Sequence, residues 1–212
     1  MGIYLNPGNS GFQRILKSEY IDKTGLIRQI NDLIGTANNL ICISRPRRFG
    51  KSYAAQMLCA YYDCSCDSRI LFDDREIAGT EEYLFHLNQY HVINLDMTAF
   101  LSVAQRKGTP LKEVPDMIVT QLLAELRETY PDCANGREFA DSLFRCVEKT
   151  GRKFVFVIDE WDALIREARN DAVAQNYRIM AVRSCWSGSI IIRKQRFTHV
   201  RLRRFDFSYR NA

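Results

Sequence analysis

Between Leu40 and Tyr62 the chain reads LICISRPRRFGKSYAAQMLCAYY. Four of the five residues from Leu40 to Ser44 are apolar and strand-like. They lead into Gly50-Lys51-Ser52 and then into a helical pattern of Ala54, Met57, Leu58 and Tyr61. Strand, glycine-containing turn, Lys-Ser and helix is the order a phosphate-binding loop requires. Free backbone N–H groups around Gly50, Lys51 and Ser52 would carry the positive end of the helix dipole and wrap a phosphate chain. Lys51 would reach the outer phosphates, and the Ser52 hydroxyl would ligate Mg²⁺. The general fingerprint places another glycine five positions before Gly50, where this chain has Arg45. The competing reading of Gly-Lys-Ser alone is an ordinary helix start with a serine near its cap.

A second stretch adds to the first. Phe154-Val155-Phe156-Val157-Ile158-Asp159-Glu160 is an unbroken apolar run closed by two carboxylates. Such a run reads as a strand buried on both faces, and in open α/β sheets ligands gather beyond the carboxyl ends of the strands. Asp159 would hold the Mg²⁺ water shell across from Ser52, and Glu160 would orient and deprotonate the attacking water. The plainer alternative is that one of these acids only starts the next helix.

Three segments together, Tyr20-Ile21-Asp22-Lys23-Thr24, Arg45-Pro46-Arg47-Arg48-Phe49-Gly50-Lys51-Ser52 and Asp159-Glu160-Trp161-Asp162, resemble the predicted AAA-ATPase-like family of bacterial proteins. The resemblance covers about residues 10–175, and the octet ending in Gly-Lys-Ser is its most specific part. It implies a P-loop NTPase fold of AAA+-like type, a three-layer α/β sandwich on a parallel sheet. ATP and Mg²⁺ are the cofactors it implies. Its loop carries an arginine where Arg45 stands, which accounts for the departure from the general fingerprint. The nucleotide-binding set it points to is Arg45, Arg47, Arg48, Phe49, Gly50, Lys51, Ser52 and Tyr53, with Ser52 and Asp159 for the metal and Glu160 as catalytic base. Members often carry a nuclease-like domain after the ATPase part, and none is expected within these 212 residues.

The rest of the chain reads as alternating elements. Residues 1–22 form a lead-in, apolar at Phe12, Ile15 and Leu16. Thr24 is placed to cap a helix through Ile34, ended by Gly35. Asp22 and Lys23 stand equally as a capping and surface pair or as a nucleotide contact. Ile70, Leu71 and Phe72 form a buried anchor, and a short helix follows Thr80. His91 to Met97 reads as a strand whose end holds Asp96, either a site residue or a strand-end cap. Helical patterns follow over 110–130, broken or begun at Pro115, over 137–149, and from Ala163 to about Gln175 with Asp162 as cap. Strands alternating with helices imply a parallel sheet with right-handed crossovers. The P-loop ATPase-like domain, read as incomplete, spans 23–176.

Composition sets the remaining bounds. Of 212 residues, 46% are hydrophobic and 26% charged, ordinary for a soluble globular chain. No apolar run approaches a membrane span, and the start lacks a basic segment followed by an apolar one, so a cytoplasmic protein without a membrane partner is expected. The seven cysteines are odd in number, and Cys64-Ser65-Cys66 matches neither a zinc nor a redox spacing, so they read as reduced thiols. His86, His91 and His199 are isolated and read as structural or surface residues. Within the net charge of +5, residues 177–212 hold nine Arg and Lys against one Asp, leaving the rest of the chain at −3.

That basic tail has one strand-like segment, Ile190 to Ile192, and little helical period. No polar sensor strand or arginine-supplying helix is recognisable in it. Two readings stand: a truncated or out-of-frame end, and a nucleic-acid arm with Phe197, Phe205, Phe207 and Tyr209 interleaved among cations. Arg45, Arg47 and Arg48 contact phosphates or send charge to a neighbouring subunit, against the alternative of a solvated turn stiffened by Pro46. The leading expectation is an ATP-binding protein with Mg²⁺-dependent hydrolysis. The alternatives are a nucleotide-gated nucleic-acid-binding module and a nonfunctional fragment.

Overall fold

A strand that is apolar on both faces needs a layer of helices on each side. The computed structural model, which describes residues 2–41, 43, 50–136, 138–160 and 163–167, supplies both. Two strands, β1 (His91–Asp96) and β2 (Phe154–Asp159), pair in parallel, with His91 opposite Phe154 and Asp96 opposite Asp159. Side chains alternate across the sheet, so Ile93, Leu95, Phe154, Phe156 and Ile158 enter one core while Val92, Val155 and Val157 enter the other. On the other edge of β1, Asn94 N donates to Tyr4 O at 2.8 Å and Asn6 N to Val92 O at 2.7 Å. The lead-in thereby adds an antiparallel bridge, Leu5 to Ile93.

The helices described are, in chain order, α1 (Ser10–Leu16), α2 (Gly25–Asn31), α3 (Lys51–Tyr62), α4 (Arg69–Phe72), α5 (Tyr83–His86), α6 (Met97–Lys107), α7 (Val114–Thr129), α8 (Phe139–Thr150) and α9 (Ala163–Glu167). Short 3₁₀ turns occupy Glu76–Gly79 and Leu111–Glu113. The core of Ile93 and Phe156 is covered by α6, α7, α8 and α9, and the core of Val155 and Val157 by α1, α2, α3 and the turns that follow α3.

Helix α3 is the spine of that second core. From Ala54 to Tyr62 every residue except Gln56 is buried, which is the signature of a helix enclosed nearly all round. Its two terminal tyrosines are fully buried and bring their own polar partners. Tyr62 OH donates to Asn31 Oδ1 at 2.7 Å, Asn31 Nδ2 donates to Tyr61 OH at 3.3 Å, and Tyr61 OH donates to Tyr83 O at 2.7 Å. Buried phenols need such partners, and here they lock α2 and α5 onto α3.

At the N-terminal end of the strands His91 is held by three partners. Its Nδ1 lies 2.7 Å from Tyr130 OH and 3.3 Å from Cys64 Sγ, and its Nε2 lies 3.1 Å from Thr150 Oγ1. Burial, assisted by the charge of Arg152, pushes its pKa down to about 4, so the ring is neutral and structural at pH 7. Among the described cysteines Cys59, Cys133 and Cys146 are buried free thiols, in keeping with core use.

Several local expectations are corrected. Helix α2 ends at Asn31 rather than Ile34, and the Thr24 hydroxyl makes no cap bond; it accepts from Ile77 N at 3.2 Å instead. Strand β1 ends at Asp96, and Met97 opens α6, a helix the sequence pattern did not announce. Its amphipathic period is weakened by a start inside an apolar strand pattern. Of the Ile70–Phe72 anchor only Phe72 is buried, with Ile70 82% exposed. By contrast α7 starts beside Pro115 and buries Val114, Ile118, Leu122 and Leu126, and α8 ends at Gly151 with φ +70°. Leu40, Ile41 and Ile43 carry no strand pairing among the described residues. Cys42, Arg45, Arg47, Arg48, Phe49, Trp161, Asp162 and everything from 168 onward, including the basic tail, lie outside them.

Candidate functional site

The site is built where α3 begins and β2 ends. Gly50 is the N-cap of α3 with φ +70° and ψ +33°, a left-handed conformation that glycine adopts without a Cβ penalty. Lys51 is then the first helical residue and Ser52 the second, which directs the free N–H groups of the first turn out of the helix start. Strand β2 delivers Asp159 to the same place. Ser52 Oγ donates to Asp159 Oδ2 at 2.7 Å across 107 residues of sequence. The loop and the acidic strand end, matched separately in the sequence, therefore meet.

Glu160 follows at φ +49°, uncommon for a residue with a Cβ. Its N–H donates to Asp159 Oδ1 at 3.0 Å, and its carbonyl accepts from Ala163 N at 2.8 Å, fixing the turn between β2 and α9. Arg166 on α9 donates to Glu160 Oε2 at 3.0 Å, and both side chains are partly exposed. Asp96 lies in register with Asp159 on the neighbouring strand, but its carboxylate caps α6, accepting from Thr98 N at 2.9 Å and Ala99 N at 3.2 Å. Asp96 is thus the strand-end cap of the two alternatives. Tyr53 is 44% exposed on the first turn of α3.

The Tyr20–Thr24 segment divides its labour. Asp22 is a capping residue, its Oδ1 accepting from Thr24 N at 2.9 Å and its Oδ2 from Glu76 N at 3.0 Å. Lys23 is different: a Cβ placed on Gly50 would collide with the Lys23 ammonium. Arg166 and the approach of Lys23 to Gly50 were not legible in the sequence. Arg166 sits only six residues from Glu160, yet nothing in its type marks it as a partner rather than a surface cation.

The Ser52 and Asp159 oxygens suit Mg²⁺. Both are hard oxygen donors of the kind Mg²⁺ takes, and the fold brings them side by side. No group of three or more His, Cys, Asp or Glu placed to hold a metal occurs among the described residues.

A family model described as "Predicted AAA-ATPase" matches residues 7–199. The chain belongs to this predicted AAA-ATPase family. No curated protein and no solved structure matches it. The mixed helix and strand architecture, with its small parallel sheet, is compatible with the P-loop fold that an AAA-type ATPase has. No helix among the described residues is long and apolar enough to cross a membrane.

Proposed function

We propose that this member of the predicted AAA-ATPase family binds Mg·ATP at the start of α3 and hydrolyses it. The observation that carries the reading is the Ser52–Asp159 hydrogen bond, which joins a glycine-capped helix start to the acidic end of a buried parallel strand. Backbone N–H groups from Gly50 to Ser52 grip the phosphates, and Lys51 neutralises their charge. Ser52 and Asp159 hold Mg²⁺, directly or through water, and the bound ion offsets negative charge on the phosphates. Glu160 orients water for attack on the γ-phosphate and takes its proton, while Arg166 holds the Glu160 carboxylate through Oε2. In the sequence Phe49 immediately precedes this helix start and Arg45, Arg47 and Arg48 add positive charge ahead of it, while Tyr53 lies on the first turn of α3.

The test is thermal unfolding of the parent and of Lys51→Ala with and without Mg·ATP. Ligand at a hundred times its Kd stabilises a fold by about 2.7 kcal/mol, a shift of several degrees for a chain of this size. The shift is expected in the parent and not in Lys51→Ala; a parent that does not shift refutes the reading. In the same series Glu160→Gln keeps the shift and loses phosphate release, and unchanged turnover removes Glu160 from the role of base.

A further inference from the structure

Lys23 comes from a segment far from the loop in sequence, yet its ammonium rests against Gly50, at the point where a side chain on that residue would project. Its Cε lies 3.7 Å from the same point, and Tyr53 Cβ lies 3.9 Å from it. Gly50 is required for its positive φ, and its missing Cβ leaves open the space that the Lys23 ammonium occupies.

The backbone beneath Lys23 is fixed on several sides. Lys23 N donates to Tyr20 OH at 3.3 Å, and that hydroxyl donates to Met57 Sδ on α3, also at 3.3 Å. Asp22 ties the next turn to Glu76, and the fully buried Thr24 is bound by Ile77 N. A long flexible side chain therefore starts from a rigid base and ends at the first turn of α3. Its charge has the wrong sign for stabilising a helix start, where the dipole is positive and Lys51 already stands. A polyanion at the same place reverses that sign, and an ammonium with three donors suits phosphate oxygens from any direction.

We propose that Lys23 is a second phosphate-binding cation of the nucleotide site, acting with Lys51 on the phosphate chain of a nucleoside triphosphate. This rests on the Mg·ATP reading above. The segment Tyr20–Thr24 is then the holder that aims it, which explains why so short a stretch carries three separate anchors.

The experiment is calorimetric titration of the full chain with Mg·ATP for the parent, Lys51→Ala, Lys23→Met and Lys23→Arg, each at two salt concentrations, with unfolding of every variant measured without nucleotide. Lys23→Met keeps the stem and removes the charge. It is expected to weaken binding about tenfold or more, the loss of one hydrogen bond to a charged group. Its affinity should also fall less steeply with salt than the parent's, because one charge contact fewer is screened. Lys23→Arg should stay within a few-fold of the parent while its nucleotide-free unfolding temperature is unchanged. Parent binding that needs Lys51 but is the same in Lys23→Met overturns the role of Lys23 alone. Failure of Lys23→Met to fold, or a fall in its unfolding temperature with an unchanged salt slope, assigns the residue to structure and also overturns it. A parent that does not bind Mg·ATP overturns both readings.

Discussion

The Ser52–Asp159 pair gives the sharpest test of the site, because its two members should matter in different amounts with and without metal. In the free protein the bond is short, 2.7 Å, and charge-assisted, but it is open to water. Its net contribution is therefore below the range of buried charged hydrogen bonds, about 1 kcal/mol. Ser52→Ala or Asp159→Asn should each lower the unfolding temperature by about 2–4 °C in a domain of this size. In the proposed Mg·ATP complex the two oxygens would serve one ion, directly or through water, instead of each other. Each single variant should then lose about tenfold or more of the affinity gained from Mg²⁺, or about 1.4 kcal/mol. The double variant should fall no more than about 0.5 kcal/mol below the weaker single, since both remove the same interaction. In metal-free buffer Asp159→Asn should bind ATP more tightly than the parent, having removed a negative charge that faces the phosphates. Titration with ATP in Mg²⁺ and in EDTA reads all of this. Additive losses in Mg²⁺, or an Mg²⁺ enhancement intact in both single variants, would refute a shared ion.

Three further outcomes follow from the packing. Tyr62→Phe leaves the buried Asn31 Oδ1 without its donor and should destabilise by about 1–3 kcal/mol, read by denaturant unfolding; a change below about 0.5 kcal/mol would mean that Asn31 finds another donor. Phe156→Ala opens the core under α6–α8 and should cost about 3–5 kcal/mol; a smaller loss means that the neighbouring helices collapse into the space. His91 is neutral when folded, with its pKa lowered to about 4 against 6.5 in the unfolded chain, so its contribution is complete above pH 6.5 and is lost as pH falls toward 4. Discounted for partial solvent screening, about 2 kcal/mol of stability should disappear across that window, and His91→Gln should flatten the slope; equal slopes in the two proteins would contradict it.

The local chemistry of the loop was written in the sequence. Gly50 before Lys51-Ser52 fixes a left-handed residue and a helix start because only glycine takes that φ without strain, and the apolar run of β2 demands burial on both faces whatever surrounds it. Gly151 and Pro115 likewise marked helix boundaries by their own backbone restrictions. The period of α7 was legible because one face of a long helix repeats its apolar residues. Family membership was also legible: the resemblance carried by three short segments agrees with the family model that matches residues 7–199.

What needed the fold was every relation between distant segments. Asp159 meets Ser52 because β2 lies beside α3, and the Asp96 carboxylate caps a helix because α6 starts at the strand end. Ile70 is exposed although its neighbour Phe72 is buried, a choice made by the orientation of one short turn. Lys23 reaches Gly50 and Arg166 reaches Glu160 because separate elements converge at the carboxyl end of β2. Local propensity is set by each residue's own backbone and side-chain sterics, so it can be read position by position. Proximity between segments depends on how whole faces pack, and that balance exists only once the layers are assembled.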